Sequence, residues 1–189
     1  AMDARGALLA PALARAVADV PGRRLLDIAG GSGIYATAMV DARPDLQATV
    51  VERAPVDTAA RVLLADRGKA ERVTVVTGDM FGTLPSGHDL HLLSHTLHDW
   101  DEDAVRRIVG VSFTALSPGG WLVDHDAHID ADKAGPLANA RYSVLLAHST
   151  VGKCWSVAEL TGFLRDAGFT DVTDRPVSPD RSVVLARKP

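Results

Sequence analysis

The fold is decided by the stretch RLLDIAGGSG, residues 24–33, which is followed about 20 residues later by VVE, residues 50–52. An apolar run that breaks into glycines predicts a buried parallel strand, a tight turn and a helix. Glycines let the backbone approach a ligand where any side chain would collide with it. A second apolar strand that ends in a carboxylate supplies acceptors for the two hydroxyls of a ribose. The pattern therefore predicts a site for a nucleoside-type cofactor.

The spacing of the glycines narrows the class of cofactor. Dinucleotide-binding folds place a third glycine inside the following helix, and no glycine stands there in this chain. No Gly-Lys-Ser/Thr follows the glycines, which excludes a P-loop. Asp27 precedes the loop, where its carboxylate can accept hydrogen bonds from a ligand ammonium. The segment resembles the first motif of class I S-adenosylmethionine-dependent methyltransferases; a plain strand–helix turn without a ligand is the alternative.

The bulk composition excludes several other function classes. A chain of 189 residues fits one domain. Its net charge of -4 gives no electrostatic case for binding nucleic acid or an anionic membrane surface. No apolar run approaches the roughly 18 residues of a membrane span. Cys154 is the single cysteine, so we expect a cytoplasmic protein without an internal disulfide.

Predicted strands and helices alternate along the chain. The predicted strands are 23–28, 48–52, 72–77, 88–94, 120–125, 170–173 and 182–186, and the predicted helices are 34–42, 56–67, 102–116, 136–149 and 157–167. This alternation predicts an α/β fold with a mostly parallel seven-stranded sheet, helices on both faces and an antiparallel C-terminal strand pair. In such sheets ligands lie beyond the carboxyl ends of the strands, where every motif of this chain falls.

Three further segments carry a more specific resemblance. The segments GDMF (78–81), LHDWDED (97–103) and AGF (167–169) resemble the small-molecule O-methyltransferases of plants and of bacterial natural-product pathways. The resemblance extends over essentially the whole chain. It implies a Rossmann-like class I methyltransferase fold and a small-molecule acceptor.

The resemblance also assigns roles to individual residues. Asp79 and Met80 would hold the adenine ring, Glu52 the ribose, and Gly31 with its neighbours the methionine portion. The cofactor-binding set is thus Asp27, Gly31, Gly33, Glu52, Asp79, Met80, Phe81 and Ser94. His98 lies at the position of the family's general base, and an imidazole suits that task because its ordinary pKa is close to neutrality.

Some features depart from the family pattern. Ser94 stands where many plant members have lysine. Asp126 replaces a usual glutamate and Cys154 another acidic residue, so we expect His98 to lack part of its usual support. Residues 1–189 are expected to form the catalytic domain alone, without the helical N-terminal region through which full-length members form homodimers and cover the substrate; Ala1–Arg5 resembles the helix that follows that region.

A metal site is a second interpretation of the histidines. His98, Asp99 and His148 form the two-histidine, one-carboxylate set that leaves coordination positions open on iron or zinc. The set resembles a small subgroup that methylates the β-carbon of 2-oxo acids with the substrate held on the metal. This metal-assisted C-methylation, with His98 and Asp99 at the catalytic centre, is the main prediction. The alternatives are O-methylation of a phenol or enol with His98 as general base, and a cofactor-binding module with little activity.

Local structural roles compete with the metal interpretation. His148 can hydrogen-bond near the end of its own helix. Asp99 can serve as the N-cap of the helix that begins near Glu102. His125 and His128, on either side of Asp126, are either loop residues or an alternative source of ligands, and the role of His95 stays open.

Overall fold

The computed structural model describes residues 2–189, and Ala1 of the stretch Ala1–Arg5 lies outside the described residues. The strands are β1 (Arg24–Ile28), β2 (Gln47–Glu52), β3 (Val73–Thr77), β4 (His88–Ser94), β5 (Leu116–Asp126), β6 (Thr170–Ser178) and β7 (Arg181–Arg187). The helices are α1 (Met2–Ala16), α2 (Ile34–Ala42), α3 (Val56–Asp66), α4 (Glu102–Ala115), α5 (Leu137–Leu146) and α6 (Val157–Asp166), with a 3-10 turn at Leu97–Asp99. Within residues 2–189 no helix has the length and apolar character needed to cross a membrane.

All seven strands form one sheet in the order β3-β2-β1-β4-β5-β7-β6. Neighbouring strands from β3 to β5 run parallel, and β7 runs antiparallel to both β5 and β6. The predicted α/β fold with an antiparallel C-terminal pair is therefore confirmed. The strand order reverses between β1 and β4, and this is the position at which doubly wound sheets bind their ligands.

The alternation of side chains along each strand builds two cores, one on each face of the sheet. Leu25 and Val50 pack with α1 and α2, whereas their neighbours Leu26 and Val51 pack with α4 and α6. Because both faces are covered, the central strands are apolar on both sides, as expected of parallel strands. The carboxyl ends of β1, β2, β4 and β5 remain available for function.

Some element bounds differ from the prediction. β5 begins at Leu116, because residues 117–119, between the predicted helix and the predicted strand, continue the strand across a register shift opposite β4. α5 ends at Leu146, because the hydroxyls of Ser149 and Thr150 bond to carbonyls of its last turn and compete with helix continuation. β6 extends to Ser178, and α1 extends to Ala16, well beyond the stretch Ala1–Arg5 that resembles a helix of the family.

Candidate active site

The glycine-rich loop joins β1 to α2 and faces the end of β2. Gly31 has a φ of 56° and Gly33 a φ of 71°, a backbone region that favours glycine. The backbone N–H of Gly31 donates to Oε2 of Glu52 at 3.1 Å. A Cβ at Gly33 would lie 3.1 Å from the Leu64 side chain, so this glycine permits close packing against α3. The structure thus brings together the loop and the acidic residue that the sequence linked.

Asp27 is a buried carboxylate directly beneath this loop. Neither of its oxygens has a hydrogen-bond partner among the described residues. Burial, aided by the charge of Glu52, raises the pKa of Asp27 to about 7, although the nearby backbone N–H of Ala36 favours the ionised form. A Cβ at Gly30 would lie 2.5 Å from Cγ of Asp27, so glycine is required there. A buried carboxylate without partners is a suitable acceptor for a ligand ammonium.

A pocket opens beside Asp27. It is lined by Asp27, Ala29, Gly31, Tyr35, Ser94 and His95, among others. The hydroxyl of Ser94 lies 2.9 Å from Nδ1 of His125, and burial lowers the pKa of His125 to about 3, so that imidazole is neutral. The pocket therefore extends from the carboxyl end of β1 to that of β4.

The predicted adenine-binding segment follows β3. The carboxylate of Asp79 accepts the backbone N–H of Phe81 at 2.9 Å, and the backbone N–H of Gly78 donates to the carbonyl of Glu52 at 3.0 Å. The ring of Phe81 contacts that of Trp100 edge to face at 4.8 Å. Met80 and Phe81 are half-buried. The segment therefore lies next to Glu52 and offers apolar side chains together with an exposed carboxylate.

These groups fit the predicted cofactor. Asp27 would accept hydrogen bonds from the ammonium of S-adenosylmethionine, and Glu52 would take the ribose hydroxyls. A Cβ at Gly31 would have no heavy atom within 4 Å, so there is open space above the loop for a ligand to approach the backbone. Carboxylates on both sides of the loop also suit a positively charged ligand.

His98 lies in the 3-10 turn after β4 and is 5% exposed. Its Nδ1 is 2.7 Å from each carboxylate oxygen of Asp126, the last residue of β5. Burial lowers the pKa of His98, but the hydrogen bond and the charge of Asp126 outweigh this effect and raise the pKa above its ordinary value. Asp126, which replaces the usual glutamate, therefore holds Nδ1 of His98 directly. That the ring lacks part of its usual support, at the position of Cys154, stays a prediction.

The other ring nitrogen of His98, Nε2, faces two polar side chains. Nε2 lies 3.3 Å from the hydroxyl of Tyr142 on α5 and 3.5 Å from a carboxylate oxygen of Asp99. Asp99 is exposed and does not cap α4, because the N-cap is Asp101, which accepts the N–H of Ala104 at 3.0 Å. Nε2 thus already contacts one hydroxyl group, that of Tyr142.

His148 does not join this site, which corrects the predicted metal set. It follows α5, is exposed, and its Nδ1 bonds to the carbonyl of Val144 at 2.9 Å. Among the described residues, the side chains close enough together to share a metal ion are His95, His98 and Asp126. The set His98, Asp99 and His148 is therefore not brought together, since the turn after α5 directs His148 back to its own helix.

The neighbouring acidic and thiol groups have other partners. His128 pairs with Asp124 at 2.9 Å and with the Ser182 hydroxyl at 2.8 Å, so it has a structural role. Cys154 is buried, and burial raises the pKa of its thiol to about 12, which keeps it neutral. Asp126 is thus the carboxylate that supports His98 directly.

The family of the domain is identified by a match to a family model. The sequence profile of the O-methyltransferase domain matches residues 2–170. The chain belongs to this family.

Individual relatives of this family are natural-product enzymes. The chain is 38% identical over 166 residues to 3-hydroxy-5-methyl-1-naphthoate 3-O-methyltransferase of Streptomyces sahachiroi, covering 87% of this chain and 48% of that protein. It is 40% identical over 165 residues to the mitomycin biosynthesis 6-O-methyltransferase of Streptomyces lavendulae, covering 86% and 46%. The chain thus spans about half the length of the curated relatives it matches.

The family fold is also shared with solved structures. The structure of the mitomycin 7-O-methyltransferase has a TM-score of 0.90 and 33% identity, covering 97% of this chain and 54% of that one. This likeness confirms the predicted Rossmann-like class I methyltransferase fold for the domain.

Proposed function

We propose that this chain contains the catalytic centre of an S-adenosylmethionine-dependent O-methyltransferase acting on a phenol or enol hydroxyl of a small molecule. The observation that carries the proposal is the buried pair of His98 and Asp126 at 2.7 Å, which leaves Nε2 of His98 directed at a hydroxyl group. The pair lies beside the pocket that contains Asp27 and Gly31, because His95 lines that pocket and contacts Asp126.

The hydrogen bond to Asp126 assigns the protons of His98. A carboxylate is an acceptor only, so in the neutral ring the proton is on Nδ1 and the lone pair is on Nε2. The hydroxyl of Tyr142 already lies 3.3 Å from Nε2, which is the contact that an acceptor hydroxyl would make. Asp126 then stabilises the imidazolium that forms when Nε2 takes the acceptor proton, since the carboxylate is buried beside it.

The cofactor supplies the other half of the chemistry. When bound, S-adenosylmethionine would supply a methyl group on a sulfonium; an ionised acceptor oxygen would bond to the methyl carbon as the carbon–sulfur bond breaks and S-adenosylhomocysteine leaves as a neutral thioether. The protein contributes position and proton transfer: Asp27 and the glycine loop hold the amino-acid end, Glu52 the ribose, and His98 the acceptor proton. The names of the two Streptomyces relatives support oxygen as the methylated atom, and the naphthoate relative supports a hydroxylated aromatic acceptor.

Metal-assisted C-methylation of a 2-oxo acid has less support. Of its predicted ligands, His98 lies in the 3-10 turn after β4, whereas His148 follows α5 and bonds to the carbonyl of Val144 in that helix. A His148→Ala variant separates the two chemistries, because it would abolish the metal-dependent reaction and leave base-assisted O-methylation unchanged.

The test is a turnover assay with S-adenosylmethionine, a set of hydroxynaphthoates and simple phenols, and a set of 2-oxo acids. We expect formation of S-adenosylhomocysteine and an O-methylated product, identified by mass spectrometry. We expect His98→Ala to lose roughly 10²–10⁴-fold in turnover while binding S-adenosylhomocysteine normally by calorimetry. Normal turnover of His98→Ala would refute the role of the base, and cofactor binding without methylation of any acceptor would favour a binding module.

A further inference from the structure

His95 is the buried histidine that the proposed reaction does not use. Its side chain is 1% exposed, and neither ring nitrogen has a hydrogen-bond partner among residues 3–189. Its φ of 55° is in the left-handed region, which costs energy for a residue other than glycine. A buried imidazole without a hydrogen bond, on a strained backbone, requires an explanation, and such residues cluster at binding sites.

The neighbours of His95 complete a set of metal ligands. Nδ1 of His95 is 3.6 Å from Oδ1 of Asp126, and Nδ1 of His98 is 2.7 Å from Oδ2 of the same carboxylate. One ligand atom from each of the three residues lies within 4.8 Å of the others. Around a tetrahedral zinc ion with bonds of about 2.1 Å, ligand atoms are about 3.4 Å apart. Changes of up to about 1.4 Å in the distances between ligand atoms would therefore place the three groups around one ion.

We infer that His95, His98 and Asp126 form a binding site for a divalent transition-metal cation such as Zn²⁺, and that the bound cation inhibits the enzyme. The ligand set of two imidazoles and one carboxylate suits such a cation and leaves one position open. The site differs from the set predicted from sequence, because His95 and Asp126 replace Asp99 and His148. That the cation inhibits, though not that it binds, rests on the proposed role of His98.

The inhibition follows from the two nitrogens of one imidazole. A cation that binds Nδ1 of His98 displaces the proton that this nitrogen shares with Asp126. The neutral ring then carries that proton on Nε2, so no net proton is gained or lost. Nε2 becomes a donor and cannot accept the proton of an acceptor hydroxyl. Occupation of the metal site therefore removes the base.

The strain at His95 is consistent with this site. Its backbone N–H donates to the carbonyl of His125 at 2.9 Å, which fixes the residue at the point where β4 and β5 end side by side. The aromatic contacts of its ring with His98 at 6.0 Å and His125 at 5.1 Å limit its rotation. The imidazole is thus held against Asp126 before any cation arrives.

The experiment uses tag-free protein, calorimetric titration with Zn²⁺ and visible absorption with Co²⁺, together with turnover before and after a chelator. We expect one Zn²⁺ per chain, at least about tenfold loss of turnover, and recovery with the chelator. His95→Gln is expected to weaken Zn²⁺ binding by at least about tenfold. His148→Gln is the matched control, because it removes an exposed imidazole and should retain Zn²⁺ binding.

The possible outcomes separate this inference from the proposed function. Zn²⁺ binding that is lost in His148→Gln but kept in His95→Gln would overturn the inference in favour of the other ligand set. Binding that survives both substitutions, or no binding at all, would also overturn it. His95-dependent binding of Zn²⁺ by a protein that methylates no acceptor would support the cation site and contradict the proposed function instead. A circular dichroism spectrum of each variant shows whether its fold is intact.

Discussion

Replacement of Asp27 by asparagine should make the protein more stable and abolish tight cofactor binding. In the free protein the carboxylate is fully buried without hydrogen-bond partners, and this burial raises its pKa from 3.8 to about 7. The folded state therefore binds the proton more tightly than the unfolded state does. Stability is lost as the pH rises from about 4 to about 7, and above 7 the full cost of the buried charge remains.

The size of this cost follows from the shift in pKa. A difference of about 3 pH units corresponds to about 4 kcal/mol at 1.36 kcal/mol per unit. Asparagine has nearly the same shape and no charge. Because its amide is also without partners, we expect Asp27→Asn to gain about 2–4 kcal/mol at pH 8 and almost nothing at pH 4.

The assay is urea denaturation of the wild type and of Asp27→Asn at pH 4, 6 and 8, with calorimetric titration of S-adenosylhomocysteine. Asp66→Asn, at an exposed position, is the control and should change stability by no more than about 0.5 kcal/mol at any pH. In the wild type, affinity should fall about tenfold per pH unit below 7, because the ligand ammonium requires the ionised carboxylate. An Asp27→Asn protein that is no more stable at pH 8, or that binds the ligand as tightly as the wild type, would refute the argument.

Three other substitutions test separate parts of the site. Gly30→Ala should weaken binding of S-adenosylhomocysteine by calorimetry, because its Cβ would lie 2.5 Å from Cγ of Asp27; unchanged affinity would contradict the close approach. Asp126→Asn should lower turnover roughly 10²–10⁴-fold and preserve cofactor affinity, because the ring of His98 loses the charge that orients it. A loss of turnover below tenfold would contradict the role of the His98–Asp126 pair. Asp101→Ala should lower the free energy of unfolding, measured in denaturant, by about 1 kcal/mol, because α4 loses its N-cap. Cofactor affinity should not change. Glu102→Ala is the control, because it leaves the N-cap in place.

The sequence alone predicts the fold and the part of the site at the ends of β1 and β2. The apolar strand, the glycines and Glu52 lie within about 30 residues, and local rules relate them, so the contact between Gly31 and Glu52 could be anticipated. The alternation of strands and helices likewise determined the sheet, because right-handed crossovers leave few other topologies. Most differences lie at element ends, such as the last turn of α5, where hydroxyl side chains compete with the helix, and the largest is α1, most of which is absent from the predicted elements.

The part of the site at the ends of β4 and β5 depends on how these two strands pair, which local sequence rules do not predict. Ser94 lies opposite His125 in the pairing of β4 with β5, and only this register brings Asp126 to His98 across 28 positions of sequence. His95 was left open because its burial and its positive φ cannot be read from residue type. The prediction that His148 joins His98 is wrong, because it rests on the resemblance to a subgroup. A resemblance gives no information on where a side chain points after a helix ends.

The order of the strands separates the two parts of the proposed site. The glycine-rich loop follows β1 and contacts Glu52 at the end of β2, on one side of the chain reversal, whereas His98 follows β4 and contacts Asp126 at the end of β5. β5 is in turn held by β7, which is close to the C-terminus. Under the proposed function, damage to β6 or β7 would therefore disturb Asp126 and His98 before it reached Asp27 and the glycine-rich loop, so an assay of ligand binding alone would not detect the loss of turnover.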